Sequence, residues 1–198
     1  MRLKQSWAMK KSSILFIVAL LCLTGATVMD AGALEPAFTA NTSVYTDISG
    51  SRCRTISVNQ ESGASVQSCP GVAGYKLEVE DDDARMSITV VAPGGKKSEL
   101  SYWQVITSAF STLGNKAEWR MARVKGKTTP VALIVRVNAS EDPSNPQKTT
   151  SYLAVAKITA AKTCVTDKIG PSATANEEAR RAADNAATKP CLEDTAQE

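Results

Sequence analysis

Four of the five cysteines, those that follow the N-terminal apolar block containing Cys22, lie in two neighbouring pairs and constrain the fold of this chain more than any other feature. Cys53 lies close in sequence to Cys69, and Cys164 lies close to Cys191. In an exported protein, an even number of cysteines predicts disulfide bonds. Of the three pairings that four cysteines allow, we predict Cys53–Cys69 and Cys164–Cys191, because each bond would close one local unit, a hairpin and a helix. Each closure would stabilise the fold by about 3 kcal/mol.

The N-terminus has the layout of a secretory signal peptide. Basic residues at positions 2, 4, 10 and 11 precede an apolar block at 14–23, and a small-residue cleavage site follows at Ala31-Gly32-Ala33. The block is shorter than the roughly 20 apolar residues that span a membrane. We therefore predict a signal peptide at 1–33 and one mature domain at 34–198 with no transmembrane segment. Cleavage after Ala26 and a start at Met9 are alternatives.

The positive charge of the chain belongs to this N-terminal segment. Residues 1–33 contain four basic residues and one acidic residue, a net charge of +3, which equals the formal charge of +3 for the whole chain. The mature domain is therefore formally neutral. A neutral domain lacks the basic surface typical of nucleic-acid binding, and we predict no nucleic-acid partner.

The absence of histidine restricts the chemistry of the chain. With no histidine, Ser-His-Asp and Cys-His catalysis and nearly all catalytic zinc sites are excluded. No Cys-x-x-Cys pair is present, and the dense carboxylate run at 78–83 lacks the spacing of a calcium loop. We therefore expect a non-enzymatic protein without metal or cofactor. A hydrolase that uses two carboxylates is the alternative.

Alternating polar and apolar residues predict a mainly antiparallel sheet. An extended lead-in covers 34–47, and a helix at 172–188 follows the last strand, because Thr174 and Glu177 form a capping-box pattern before an alanine-rich run. The predicted fold class is α+β, with one C-terminal helix and two disulfides. The predicted strands cover residues 53–58, 64–69, 75–79, 85–91, 118–123, 131–137, 152–158 and 162–165.

The aromatic residues divide between core and surface. Trp119 alternates with Glu118 and Arg120, which predicts a core position for its indole. Tyr102 and Trp103 lie in the least regular stretch of the sequence, and exposed together they would form a binding patch. We predict that such a patch binds an envelope protein or a cell-wall component.

Several short segments link the chain to a group of bacterial proteins. They are Tyr45-Thr46-Asp47 ahead of Cys53, Cys69-Pro70-Gly71, Leu113-Gly114 before Glu118-Trp119-Arg120, and the helix residues 179–184 before Cys191. In these features the mature chain resembles small exported proteins of uncharacterised function with a four-cysteine framework. The resemblance implies a periplasmic location and this cysteine framework, and it implies no activity.

Overall fold

Ten strands form one hydrogen-bonded sheet in the computed structural model, which describes residues 41–193. The strands are β1 Thr42–Asp47, β2 Arg54–Val58, β3 Ser65–Pro70, β4 Lys76–Asp82, β5 Arg85–Val91, β6 Lys97–Glu99, β7 Ser111–Val124, β8 Lys127–Ala139, β9 Thr150–Ile158 and β10 Thr163–Ile169. The helices in this range are α1 Tyr102–Val105 and α2 Ala175–Asp184, with single 3-10 turns at Gly50–Arg52 and Ala186–Thr188. The chain is thus mostly strand, with one longer helix near its C-terminus.

Strand pairing divides the sheet into two parts. In the hairpin sheet, β2 to β6, each strand pairs antiparallel with the next one along the chain. In the main sheet, β1 and β8 flank β7, and β9 and β10 follow β8, all antiparallel. A single parallel pairing, Arg85 with Ser111, joins the two parts.

One face of the main sheet packs against the hairpin sheet. Leu133 and Val135 of β8 are fully buried in one cluster with Leu77 of β4 and Ile88 of β5. Trp119 of β7 is also fully buried there, and its Nε1 donates a hydrogen bond of 2.9 Å to the Thr46 hydroxyl. The alternation seen in the sequence therefore selects the correct buried face of these strands.

The opposite face of the main sheet carries α2. Small side chains on one side of the helix pack against Ile134, Leu153 and Val155, and the buried alanines are Ala175, Ala179, Ala183 and Ala186. Alanine side chains let the helix approach the sheet closely. The predicted helix at 172–188 is longer than the observed one, and Thr174 makes no N-terminal capping bond; its hydroxyl bonds to Glu178 instead.

Two parts of the predicted domain scheme need separate comment. The lead-in predicted at 34–47 contains a real strand, since β1 pairs along its length with β7 from Thr42–Met121 to Asp47–Lys116. The signal peptide predicted at 1–33, with its cleavage sites and start, lies outside the described residues. Within 41–193, no helix is long and apolar enough to cross a membrane.

Both predicted disulfides are present. Cys53 bonds to Cys69 and closes the β2–β3 hairpin. Cys164 in β10 bonds to Cys191, which follows α2. The second bond holds the chain beyond the helix against the main sheet, where the Leu192 amide also donates to the Val165 carbonyl at 2.8 Å.

Candidate functional site

The structure separates the two aromatic residues predicted to form one patch. Ser101 has a left-handed backbone (φ 44°) and starts the one-turn helix α1. Tyr102 points into the core, where it is 1% exposed, whereas Trp103 is 48% exposed. Adjacent residues on a helix point in directions about 100° apart, and here the first ring faces the core while the second faces solvent. The prediction was wrong for Tyr102, and Trp103 alone contributes to the surface.

Trp103 borders a cleft of about 340 Å³, which we call the Trp103 cleft. Its other lining residues are Asp82, Asp83 and Arg85. Phe110 stands beside it and is 52% exposed, with the Arg85 guanidinium 4.8 Å from the centre of its ring. This pair has the geometry of a cation–π contact. Two large exposed aromatic side chains are therefore found next to a charged cleft.

The β4–β5 turn fixes the charged wall of the Trp103 cleft. Asp83 and Ala84 both have positive φ, 51° and 56°, which is the backbone of a tight two-residue hairpin. Arg85 donates a hydrogen bond to the Ser108 carbonyl at 3.0 Å and pairs with the Asp83 carboxylate. These contacts hold Arg85 in place. The carboxylate of Asp82 is exposed and has no ion-pair or hydrogen-bond partner among the described residues. The cleft offers a ligand an aromatic face, a free carboxylate and a fixed guanidinium.

A second cluster of charged side chains lies between α2 and the main sheet. Glu118 of β7 is 9% exposed, and Arg180 of α2 donates hydrogen bonds to it at 2.7 and 3.3 Å. Ser43 also donates to the Glu118 carboxylate, at 2.5 Å. Burial disfavours the charged form of Glu118, but hydrogen bonds from Arg180, Ser43 and Tyr45 outweigh it, so the pKa of Glu118 is lower than usual.

Arg120 forms the other half of this cluster. Its guanidinium is nearly buried and makes two parallel hydrogen bonds of 2.9 Å to the carboxylate of Asp184 in α2. It also donates to the Ser43 hydroxyl at 2.5 Å and to the Asn41 carbonyl at 2.9 Å. Two-pronged contacts of this kind fix the orientation of both partners. Together, the Glu118–Arg180 and Arg120–Asp184 pairs attach α2 to β7.

Next to these pairs, the edge of α2 leaves a smaller cleft of about 170 Å³, which we call the α2 cleft. Its lining residues are Tyr45, Lys116, Glu118, Ile134, Arg136, Leu153, Asn176 and Ala179. We did not predict this cleft from the sequence. A usable signal was present, since Glu118 and Arg120 share one face of a strand whose opposite face carries the buried Trp119. If another element covers such a face, buried charges on the strand indicate that the covering element supplies partners of opposite charge.

The remaining chemistry of the described residues is limited. Within 41–193, no group of three or more cysteine, aspartate or glutamate side chains is arranged to hold a metal ion. The pKa of two further carboxyl groups is lower than usual because neighbouring groups donate hydrogen bonds to them. Lys116 acts on Asp47, and hydrogen bonds from Ser144 act on Asp142.

Comparison of the chain with protein-family models, with curated proteins and with solved structures gives no match.

Proposed function

We propose that this protein is an exported, non-enzymatic binding module of the bacterial envelope, and that it holds a protein or cell-wall partner at the Trp103 cleft. The observation that carries the proposal is the exposure of Trp103 and Phe110, at 48% and 52%, beside a charged cleft. Large aromatic side chains are enriched where proteins bind partners, because they bury much apolar area at little cost in conformational entropy.

The position of Trp103 on a braced segment supports this proposal. The Tyr102 amide donates to the Ser87 hydroxyl at 3.1 Å, and the Ile106 amide donates to the Tyr102 carbonyl at 2.8 Å. On the next segment, the Ser111 amide donates to the Ala84 carbonyl at 2.8 Å. Trp103 is therefore presented by a fixed backbone, and a preorganised side chain loses less entropy on binding.

Export is supported by two independent features. The sequence begins with the layout of a signal peptide, and the domain contains two disulfides, which persist in oxidising compartments. A location in the periplasm or outside the cell agrees with both.

The environment of Glu118, the one buried carboxylate among the described residues, does not suit the general acid of the hydrolase alternative. A carboxyl group that acts as a general acid near neutral pH needs a raised pKa. The pKa of Glu118 is lower than usual. The buried carboxylate Glu118 is moreover committed to Arg180.

The proposal predicts that Trp103→Ala abolishes binding while leaving the fold intact. The oxidised protein is immobilised and incubated with envelope extract, and in a second arm it is sedimented with purified cell wall. Wild-type protein should retain a partner in one of the two arms, and Trp103→Ala should lose it, because the aromatic wall of the cleft is gone. After residue 33 the chain contains only the tryptophans Trp103 and Trp119, and only Trp103 is exposed, so partner binding should also shift the tryptophan emission to shorter wavelength.

Val124→Ala is the matched control. Val124 is 45% exposed and ends β7, whereas Ser111, near the Trp103 cleft, begins it. This variant should bind like the wild type. If wild type and Trp103→Ala retain the same material in both arms, the proposed function is wrong.

A further inference from the structure

Of the basic side chains that line the α2 cleft, Arg136 has no ion-pair partner among the described residues. Lys116 pairs with Asp47 at 2.6 Å, and Glu118 is taken by Arg180. Arg136 has no carboxylate within ion-pair distance among the described residues. Its guanidinium donates to the Ser151 hydroxyl at 2.7 Å and to the Asn176 side-chain oxygen at 3.4 Å. Both acceptors are neutral, so the half-buried Arg136 keeps its charge uncompensated at the mouth of the cleft.

The backbone next to Arg136 is shaped to admit its side chain. The register of β7 against β8 shifts between Leu113 and Ala117, which is a bulge. Within the bulge, a Cβ added to Gly114 would be 3.0 Å from the Cβ of Arg136. The missing side chain lets Arg136 lie across β7, and the bulge places Lys116 at the same cleft. The two cations are therefore brought together by local features of one strand.

The floor of the α2 cleft is apolar. Ile134 and Leu153 are 4% and 5% exposed, and Ala179 of α2 closes the far side. The cleft volume of about 170 Å³ suits a small group rather than an extended polymer. A ligand that fits here needs one negative charge at the mouth and a short carbon chain over the floor.

We propose that the α2 cleft binds a carboxylate on a short apolar stem. Arg136 would hold the carboxylate, Lys116 would lie beside it in its pair with Asp47, and the apolar floor would contact the stem. A guanidinium presents two parallel N–H groups that match the two oxygens of a carboxylate. A single negative charge neutralises the one uncompensated cation, whereas a phosphate dianion would exceed it. The free carboxylate can belong to a short fatty acid or to the C-terminus of a peptide.

The test is a titration of the oxidised, exported protein followed by amide chemical shifts. The probes are butyrate and N-acetyl-dialanine, and their neutral counterparts, butyramide and N-acetyl-dialanine amide, serve as ligand controls. We expect at least one carboxylate to shift the amides of Asn176 and Ala179, and neither neutral counterpart to do so. Butyrate alone identifies a free acid as the source, and the peptide alone identifies a C-terminus.

Three variants separate the site from general charge effects. Arg136→Gln should weaken carboxylate binding by at least about tenfold, the usual loss for a charged hydrogen-bond partner. Gly114→Ala leaves all charges in place but crowds Arg136, and it should weaken binding to a smaller extent. Arg123→Gln removes an exposed charge from the same strand and should have no effect. Equal shifts with the neutral compounds, or unchanged binding in both Arg136→Gln and Gly114→Ala, would overturn the proposal.

Discussion

Gly71 shows at the scale of a single residue how closely the β3–β4 connection packs on the core. A Cβ added at this position would lie 2.5 Å from the Tyr75 carbonyl oxygen and 2.9 Å from Cζ2 of Trp119. The backbone of Gly71 has no positive φ, so the requirement for glycine is purely one of space. The indole that it accommodates is the largest fully buried side chain among the described residues.

We expect Gly71→Ala to destabilise the domain by about 1–3 kcal/mol, the usual cost of overpacking. Gly170→Ala is the matched control, because a Cβ there meets nothing within 4 Å and the backbone is not left-handed. That change should be neutral or stabilise by up to about 1 kcal/mol through the unfolded chain. Urea unfolding of both variants gives the two free energies. Equal stabilities would contradict the packing seen at Gly71.

At the scale of elements, two charged side chains of α2 can pair with two of β7 because the distance between the charges along the helix nearly equals the distance along the strand. Arg180 and Asp184 are four residues apart on a helix, and Glu118 and Arg120 are two residues apart on a strand. Four residues of helix rise about 6 Å, and two residues of strand rise about 6.6 Å. Each charge on α2 can therefore reach its opposite on β7. A neutral alanine face and two cross-element ion pairs together fix where the helix lies.

The pairing of Glu118 predicts a pH dependence. Its folded pKa is lower than its unfolded value of about 4.3, so its stabilising contribution is fully present above that value. The contribution is lost as the pH falls through the folded pKa. In Glu118→Gln this contribution is absent at every pH. We expect the difference in unfolding free energy between wild type and variant to be largest above pH about 5 and to shrink in acid.

Other depressed carboxyl groups do not disturb this comparison. Asp47 and Asp142 titrate in both proteins, so their effects cancel in the difference. Urea unfolding at a series of pH values supplies the measurement. A difference that stays constant from neutral to acid pH would show that the Glu118–Arg180 pair contributes nothing to stability.

Local sequence patterns predicted which segments form strands and the helix, but they predicted the ends of these elements and the pairing between strands less well. The nearly continuous apolar run at 131–137 correctly indicated a strand, and the run is apolar throughout because both faces of that strand are covered. The strand at Thr42–Asp47 was predicted only as an extended segment, since half of its side chains are exposed and its partner β7 is far away in sequence. Tyr102 and Trp103 were wrongly predicted to share one exposed patch. The directions of their side chains depend on helix α1, which begins after the left-handed Ser101. Neither the distant partner nor that backbone angle leaves a periodic signal.

At the scale of the whole molecule, each of the two disulfides anchors a segment at one end of the described fold. All five side chains of β2 are exposed, and the hairpin that contains β2 is closed by Cys53–Cys69. After α2, Ala186 is buried and Leu192 packs on the core, and Cys164–Cys191 anchors this segment to β10. By loop entropy, closures of 16 and 27 residues each contribute about 3 kcal/mol or slightly more.

This arrangement makes a thiol count decisive for both the architecture and the export proposal. Protein recovered from its natural location and denatured without reductant should contain no titratable thiol, because the four cysteines after residue 33 are bonded in pairs. As a control, residues 34–198 produced in a reducing cytosol should give four thiols. That form should also melt more than about 10 °C lower, given about 2–4 °C per kcal/mol for a domain of this size. Four free thiols in the natively located protein would contradict the disulfide framework and the oxidising location together, because no other feature of the chain replaces the two covalent closures.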